Sequence, residues 1–284
     1  MSGLVQDRAL TEVIRSAAKA GEPDRYLSAL LAPREARDDL VTLAAFLAEM
    51  AKIAEQVSDP MLGEIRIQWW RDALLPSQEG TLSGNPIADA FADVMKRRAL
   101  SQSALSDLLD AHTHALYPSS PPSVEALFLE LDFTETAAFH FAGQILGATE
   151  DPAFAGMTHD AGIAYGLARR ALRMPFSLAR GREILPGDWQ LNSAAVTDAS
   201  AGPGALSLGI KHLVQEARAR LVQIKANWPR TSPELKAALL PVALVEPYLK
   251  ALERRGYDAA HEIGDVSPLT RVWRLGRAHV RGRL

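Results

Sequence analysis

Apolar residues along this chain return in steps of three and four, the period of a helix with one face turned inward. From Pro33 to Val57 the stripe is Leu40, Leu43, Ala44, Leu47, Ala51 and Ala54. From Ser103 to Tyr117 it is Leu105, Leu108, Leu109, His112 and Leu116. From Gly204 to Trp228 a register through Leu208, His212, Gln215, Ala219 and Val222 competes with a second one. No run alternates as a half-buried strand would. The pattern predicts an all-α protein of about nine to eleven helices, most of them roughly ten to twenty-five residues long.

Punctuation supports that reading. A capping residue precedes proline at Asp59-Pro60, Asn85-Pro86, Asp151-Pro152, Ser232-Pro233 and Ser267-Pro268. Such a side chain accepts from first-turn amides, and proline there loses no hydrogen bond. Gly21, Gly147 and Gly256 mark stops where the chain can turn left-handed. Residues 117–123 read as a rigid loop, and Pro186 to Gly204 as a long, exposed connection. Neither divides the texture of the chain, so we expect a single domain over 24–284, preceded by an N-terminal helix or extension at 1–23.

Composition narrows the function. Of 284 residues 48% are apolar, and 31 basic against 34 acidic side chains leave a net charge of −3, so nothing pulls the chain toward nucleic acid. The lack of cysteine excludes disulfides, thiolate metal sites and a cysteine nucleophile. No signal-like apolar run opens the sequence, and none reaches the roughly 18 residues of a membrane span. A cytoplasmic location is expected.

Simple chemical motifs are missing: there is no GxGxxG, no phosphate loop ending in Gly-Lys-Ser/Thr and no HExxH. His112 and His114 point to different helix faces, and Asp38-Asp39 reads as solvated surface. Asp132 and Glu135 could share a face but make a weak metal site. Two regions stand out. Asp59 to Leu74 holds two of the five tryptophans, with Glu64, Gln68 and Arg71 on one side and Ile65, Trp69 and Asp72 on the next. It reads either as a core helix with surface ion pairs or as a contact surface. Between Tyr165 and Pro186 lie Arg169, Arg170, Arg173, Arg180 and Arg182. Such a stripe needs either carboxylates from neighbouring helices or an anionic ligand such as a phosphate. Pro175 should kink this helix.

These residues also carry a resemblance. Asp24-Arg25-Tyr26-Leu27, Pro33-Arg34-Glu35 and Leu43-Ala44-Ala45-Phe46 look like the opening helices of the squalene/phytoene synthase family. Leu131 through Gly147 resembles its central helix. Gly162 through Ala168 with Gly181-Arg182-Glu183-Ile184-Leu185-Pro186 resembles its second signature, and Leu249 with Gly256-Tyr257-Asp258 its C-terminal region. The resemblance spans 24–280 and implies an isoprenoid-synthase-like helical bundle around a central pocket. In that family two aspartate-rich motifs hold magnesium ions, which bind prenyl diphosphates and neutralise the departing pyrophosphate.

Both motifs depart here. The first falls on Ala51-Lys52-Ile53-Ala54-Glu55, where only Glu55 is acidic. The second falls on Arg173-Met174-Pro175-Phe176-Ser177, with no acid at all. The resemblance therefore implies no catalytic residue, metal ligand or cofactor, and instead an anion or ligand site at Lys52, Arg169, Arg170 and Arg173. The alternative is an active head-to-head prenyltransferase, with magnesium held by acids such as Glu49, Glu55, Asp59 and Asp160. The stretch Val57 to Arg66 with Gln68-Trp69-Trp70-Arg71-Asp72 resembles most the branch containing the mitochondrial respiratory complex I assembly factor. With no targeting segment at its start, the chain fits a bacterial relative. This implies work in respiratory-complex assembly, or the holding of a prenyl or lipid ligand, with Glu55, Glu64, Arg66, Trp69, Trp70 and Arg71 as pocket or partner contacts. At the C-terminus Arg271, Arg274, Arg277, Arg281 and Arg283 accompany Trp273, Leu275 and Val280. That helix reads either as solvated or as a peripheral contact with the inner membrane.

Overall fold

The computed structural model describes residues 2–57, 59–75, 82–117, 120–180, 185–189, 204–254, 257–258 and 261–284, without side chains at 2–8, 204, 205 and 207. Regular structure among the described residues is helical, with no strand. The chain groups into two compact units, residues 1–117, 137–154 and 232–238 in one and residues 118–136, 155–231 and 239–284 in the other.

The first unit holds α1 (Ser2–Gly21), α2 (Pro23–Leu31), α3 (Arg34–Gln56), α4 (Pro60–Leu74), α5 (Pro86–Arg97), α6 (Gln102–His114), α8 (Ala137–Leu146) and α12 (Pro233–Ala238). α3 is its axis, packed by α1, α2, α4, α5, α6 and α8. Every residue from Asp39 to Ala48 is buried. Phe46 stacks on Phe91 at 4.2 Å between centroids and meets the edge of Trp70 at 5.6 Å. α1 lies along α3, with Ala18 fully buried. Gly21 ends α1 as expected, but for another reason than a left-handed turn: a Cβ there would sit 2.4 Å from that of Ala48. Gly147 does turn left-handed, at φ 74°. Gly256 lies outside the described residues.

Asp59, Asn85, Ser232 and Ser267 cap their helices as expected. Asp151 does not cap at Pro152. Its Oδ1 accepts from Ala153 N and its Oδ2 from Ser232 N, so Pro152 sits in a turn and the next helix starts at Phe154.

The second unit holds α7 (Val124–Leu131), a π-helical segment at Asp132–Thr136, α9 (from Phe154–Leu172), α10 (Met174–Leu178), α11 (Gly204–Asn227), α13 (Val245–Leu252) and α14 (Pro268–Arg281). α9 is buried on all sides from Ala161 to Ala168. Two of its three glycines permit close approach: a Cβ on Gly162 would lie 2.0 Å from Thr136 Oγ1, and one on Gly166 2.7 Å from Leu131 Cδ2. At Pro175 the expected kink is a full break, with α9 ending at Leu172 and α10 restarting at Met174. α11 adopts the second register: Ile210, Leu213, Val214, Ala217, Leu221 and Ile224 are buried, while Leu208 and Val222 face outward. The connection after Pro186 begins packed rather than exposed, because Trp189 is buried and stacks on His212 at 5.7 Å. Residues 190–203 lie outside the described residues, as do 181–184 of the second signature.

Candidate functional site

Three groups of residues carry the candidate chemistry. The first is the last two turns of α3. Lys52 Nζ lies 2.6 Å from Glu49 Oε1, an i,i+3 pair on the helix surface. Glu55 follows, half-buried, one residue before the helix ends at Gln56.

The second is the end of α9. Arg169 and Glu135 form a pair at 3.3 Å, each side chain about one-sixth exposed (16% and 17%). The Arg169 guanidinium also lies 5.4 Å from the ring centre of Tyr165, one turn earlier. Arg170 Nη1 lies 2.8 Å from Glu130 Oε1 on α7. Arg173 stands between α9 and α10 and caps the latter without a side-chain hydrogen bond to it. The acids that the local sequence does not supply to Arg169 and Arg170 therefore come from α7 and the π-helical segment. Asp132 and Glu135 do not act together there: Asp132 Oδ1 accepts from Thr136 Oγ1 and pairs with His159 Nδ1 at 2.7 Å, while Glu135 serves Arg169. Sequence reasoning missed Glu130 and His159, whose signals are distant partners rather than local spacing.

The third is α4. Trp70 is core, 5% exposed, whereas Trp69 is 40% exposed and meets Trp70 edge-on at 5.4 Å. Arg71 reaches α6, donating to Ser106 Oγ at 2.7 Å and Asp110 Oδ1 at 2.6 Å. Glu64 accepts from the Tyr117 hydroxyl and holds the phenol above its ordinary pKa. Gln68 donates to Asp72, and Arg66 is exposed. The inward side thus ties α4 down, while Met61, Leu62, Ile65 and Trp69 form an exposed apolar stripe.

A hard dication takes oxygen donors, preferably several carboxylates pointing together. Lys52 and Arg173 occupy positions where the resemblance expects acids, and the neighbouring acids Glu49, Glu130 and Glu135 each hold a cation. Asp59 accepts from Met61 N as a helix cap, and Asp160 pairs with Arg220 at 3.2 Å. Among the described residues no three acids or histidines gather at metal-binding distance. Among the described residues this donor set does not fit magnesium. Its geometry suits ion pairing and surface contact.

The helical architecture is of the isoprenoid-synthase type. It matches squalene synthase HpnC from Alicyclobacillus acidocaldarius with a TM-score of 0.70 at 18% identity, covering 89% of this chain and 97% of the other. It matches a dehydrosqualene synthase solved with a ligand at a TM-score of 0.75 and 15% identity, over 96% of both chains. At such identities the likeness establishes the fold alone. The squalene/phytoene synthase family model matches residues 18–281, and the chain belongs to that family. Among characterised proteins it is similar to assembly factor 6 of NADH dehydrogenase (ubiquinone) complex I from Bos taurus. The two are 25% identical over 260 residues, 90% of this chain and 76% of the relative.

Proposed function

We propose that this chain is a non-catalytic member of the squalene/phytoene synthase family that acts in assembly of a respiratory NADH dehydrogenase through protein contact. The observation that carries this reading is that cations, Lys52 and Arg173, stand where the resemblance expects acids, while the nearby acids Glu49, Glu130 and Glu135 are already paired with Lys52, Arg170 and Arg169. A carboxylate held by a guanidinium gives up much of its attraction for a metal. The relatives named as complex I assembly factors point the same way. The exposed stripe of Met61, Leu62, Ile65 and Trp69 on α4 supplies an apolar surface of the kind that partners cover.

The test is genetic. Cells lacking the chain should lose NADH:quinone oxidoreductase activity from their membranes. The wild-type chain should restore it, and Ile65→Asp, which alters an exposed position, should fold normally and fail to restore it. Full activity in cells lacking the chain would overturn the proposal.

A further inference from the structure

We propose that α14 is a membrane-surface helix that seats its outer face in an anionic lipid headgroup layer. Leu269, Val272, Trp273, Gly276 and Val280 fall within an arc of about 100° on this helix. Trp273 is 66% exposed and Val280 82%. The opposite side is fixed to the second unit. Leu275 and Ala278 are buried, Arg271 reaches the Tyr248 hydroxyl and Asp265, and Gly282 O accepts from the indole of Trp228 at 2.8 Å. The helix therefore presents its apolar stripe rigidly, and ordering it at a surface carries little further entropy cost.

Charge selects the occupant. Arg277, Arg281 and Arg274 run down one side of the helix beside the stripe, all exposed, and α14 contains no acid. No ion pair joins these three to a carboxylate among the described residues. An apolar centre with cations of one sign at its edge matches anionic lipid, where arginine stems snorkel and tryptophan sits at headgroup level. No helix of the described residues is long and apolar enough to cross a membrane, so the contact is one of lying on the surface. The inference goes beyond the assembly reading, and its test does not depend on it.

The full chain should sediment with vesicles of phosphatidylcholine containing about a third phosphatidylglycerol, and not with phosphatidylcholine alone. Salt should weaken the binding. Each arginine contributes about fivefold in affinity near an anionic surface, so glutamine at Arg274, Arg277 and Arg281 together should lower binding by about 100-fold. Trp273→Ser should lower it by about tenfold. Val280→Ser provides a second readout should the tryptophan variant misfold. Circular dichroism and the unfolding temperature should match wild type for each variant. Three results would overturn the proposal: no binding to anionic vesicles, binding unchanged in the arginine and stripe variants, or a dimer in solution that Trp273→Ser breaks without any vesicle binding.

Discussion

Arg170 Nη1 lies 2.8 Å from Glu130 Oε1, and this one pair fixes the end of α9 to α7. One residue earlier Arg169 pairs with Glu135 of the π-helical segment, both side chains mostly buried. Family signatures with aspartates at the end of this helix would present oxygen atoms. Here the same region presents guanidinium groups already met by acids.

Glu135→Gln should destabilise the second unit by about 2–3 kcal/mol, since it leaves Arg169 partly buried without its charge partner. Adding Arg169→Met should recover part of that loss. Urea unfolding of both single variants and the double variant gives the coupling.

Two glycines of α9 should respond oppositely to alanine. Gly162→Ala places a Cβ 2.0 Å from Thr136 Oγ1 and 2.5 Å from Thr136 backbone, in a helix that cannot retreat. It should cost about 3 kcal/mol or more, or prevent folding. Gly156 has open space around its Cβ position, and Gly156→Ala should stabilise by about 0.5–1 kcal/mol. Thermal unfolding of the two variants checks both signs.

The tryptophan pair separates stability from recognition. Trp70 packs on Phe46 in the core, and Trp70→Ala should cost about 3–5 kcal/mol. Trp69→Ala should cost under about 1 kcal/mol, because the ring is part exposed. Denaturant midpoints of the two variants measure this difference.

How much of this was legible in the sequence depends on distance along the chain. The α3 stripe is buried at Leu40, Leu43, Ala44 and Leu47 and half-buried at Ala51 and Ala54, but from Asp39 to Ala48 the helix is enclosed on every side and not along one face alone. On α11 the sequence left two registers competing; the one through His212 and Gln215 gives way to Ile210, Leu213, Val214, Ala217, Leu221 and Ile224, which offer a more apolar surface. The π-helical segment at Asp132–Thr136 leaves no trace in a pattern of period 3.6. Asp151 divides its carboxylate between Ala153 N next to it and Ser232 N far along the chain, a distant partner that local sequence does not reveal.

The candidate site follows the same rule. The arginine stripe was visible, as was its need for acids, but its choice between a ligand and a carboxylate was set by Glu130 and Glu135 on another element. On α14, Arg271 and Leu275 read as members of the outward basic and apolar set, yet both turn inward. Leu269 and Val272 take their place on the exposed face.

Acid should weaken the first unit through His140. This imidazole is half-buried on α8 against the edge of Phe154, and burial lowers its pKa. Below its ordinary pKa of 6.5 the unfolded chain takes up a proton that the folded chain resists, so stability falls with falling pH. His140→Gln should flatten this dependence between about pH 5 and 7 relative to wild type. Urea midpoints across that range measure the two slopes.

Buried carboxylate pairing acts lower on the scale. Burial raises the pKa of Asp39, but hydrogen bonds and charge from Arg97 and Arg98 outweigh it and hold it below the ordinary 3.8. The stability this contributes is present above the ordinary carboxylate range and is lost as pH falls through the lowered value. Asp39→Asn should therefore destabilise at neutral pH, with the difference from wild type shrinking in strong acid.

The central claim of the proposed function is that the charge reversal at Lys52 and Arg173 leaves no prenyl transfer. Its most direct test incubates the purified chain with farnesyl diphosphate and magnesium and follows pyrophosphate release and condensed product. We expect neither above the protein-free blank. Sustained turnover that Glu55→Ala abolishes would contradict the account.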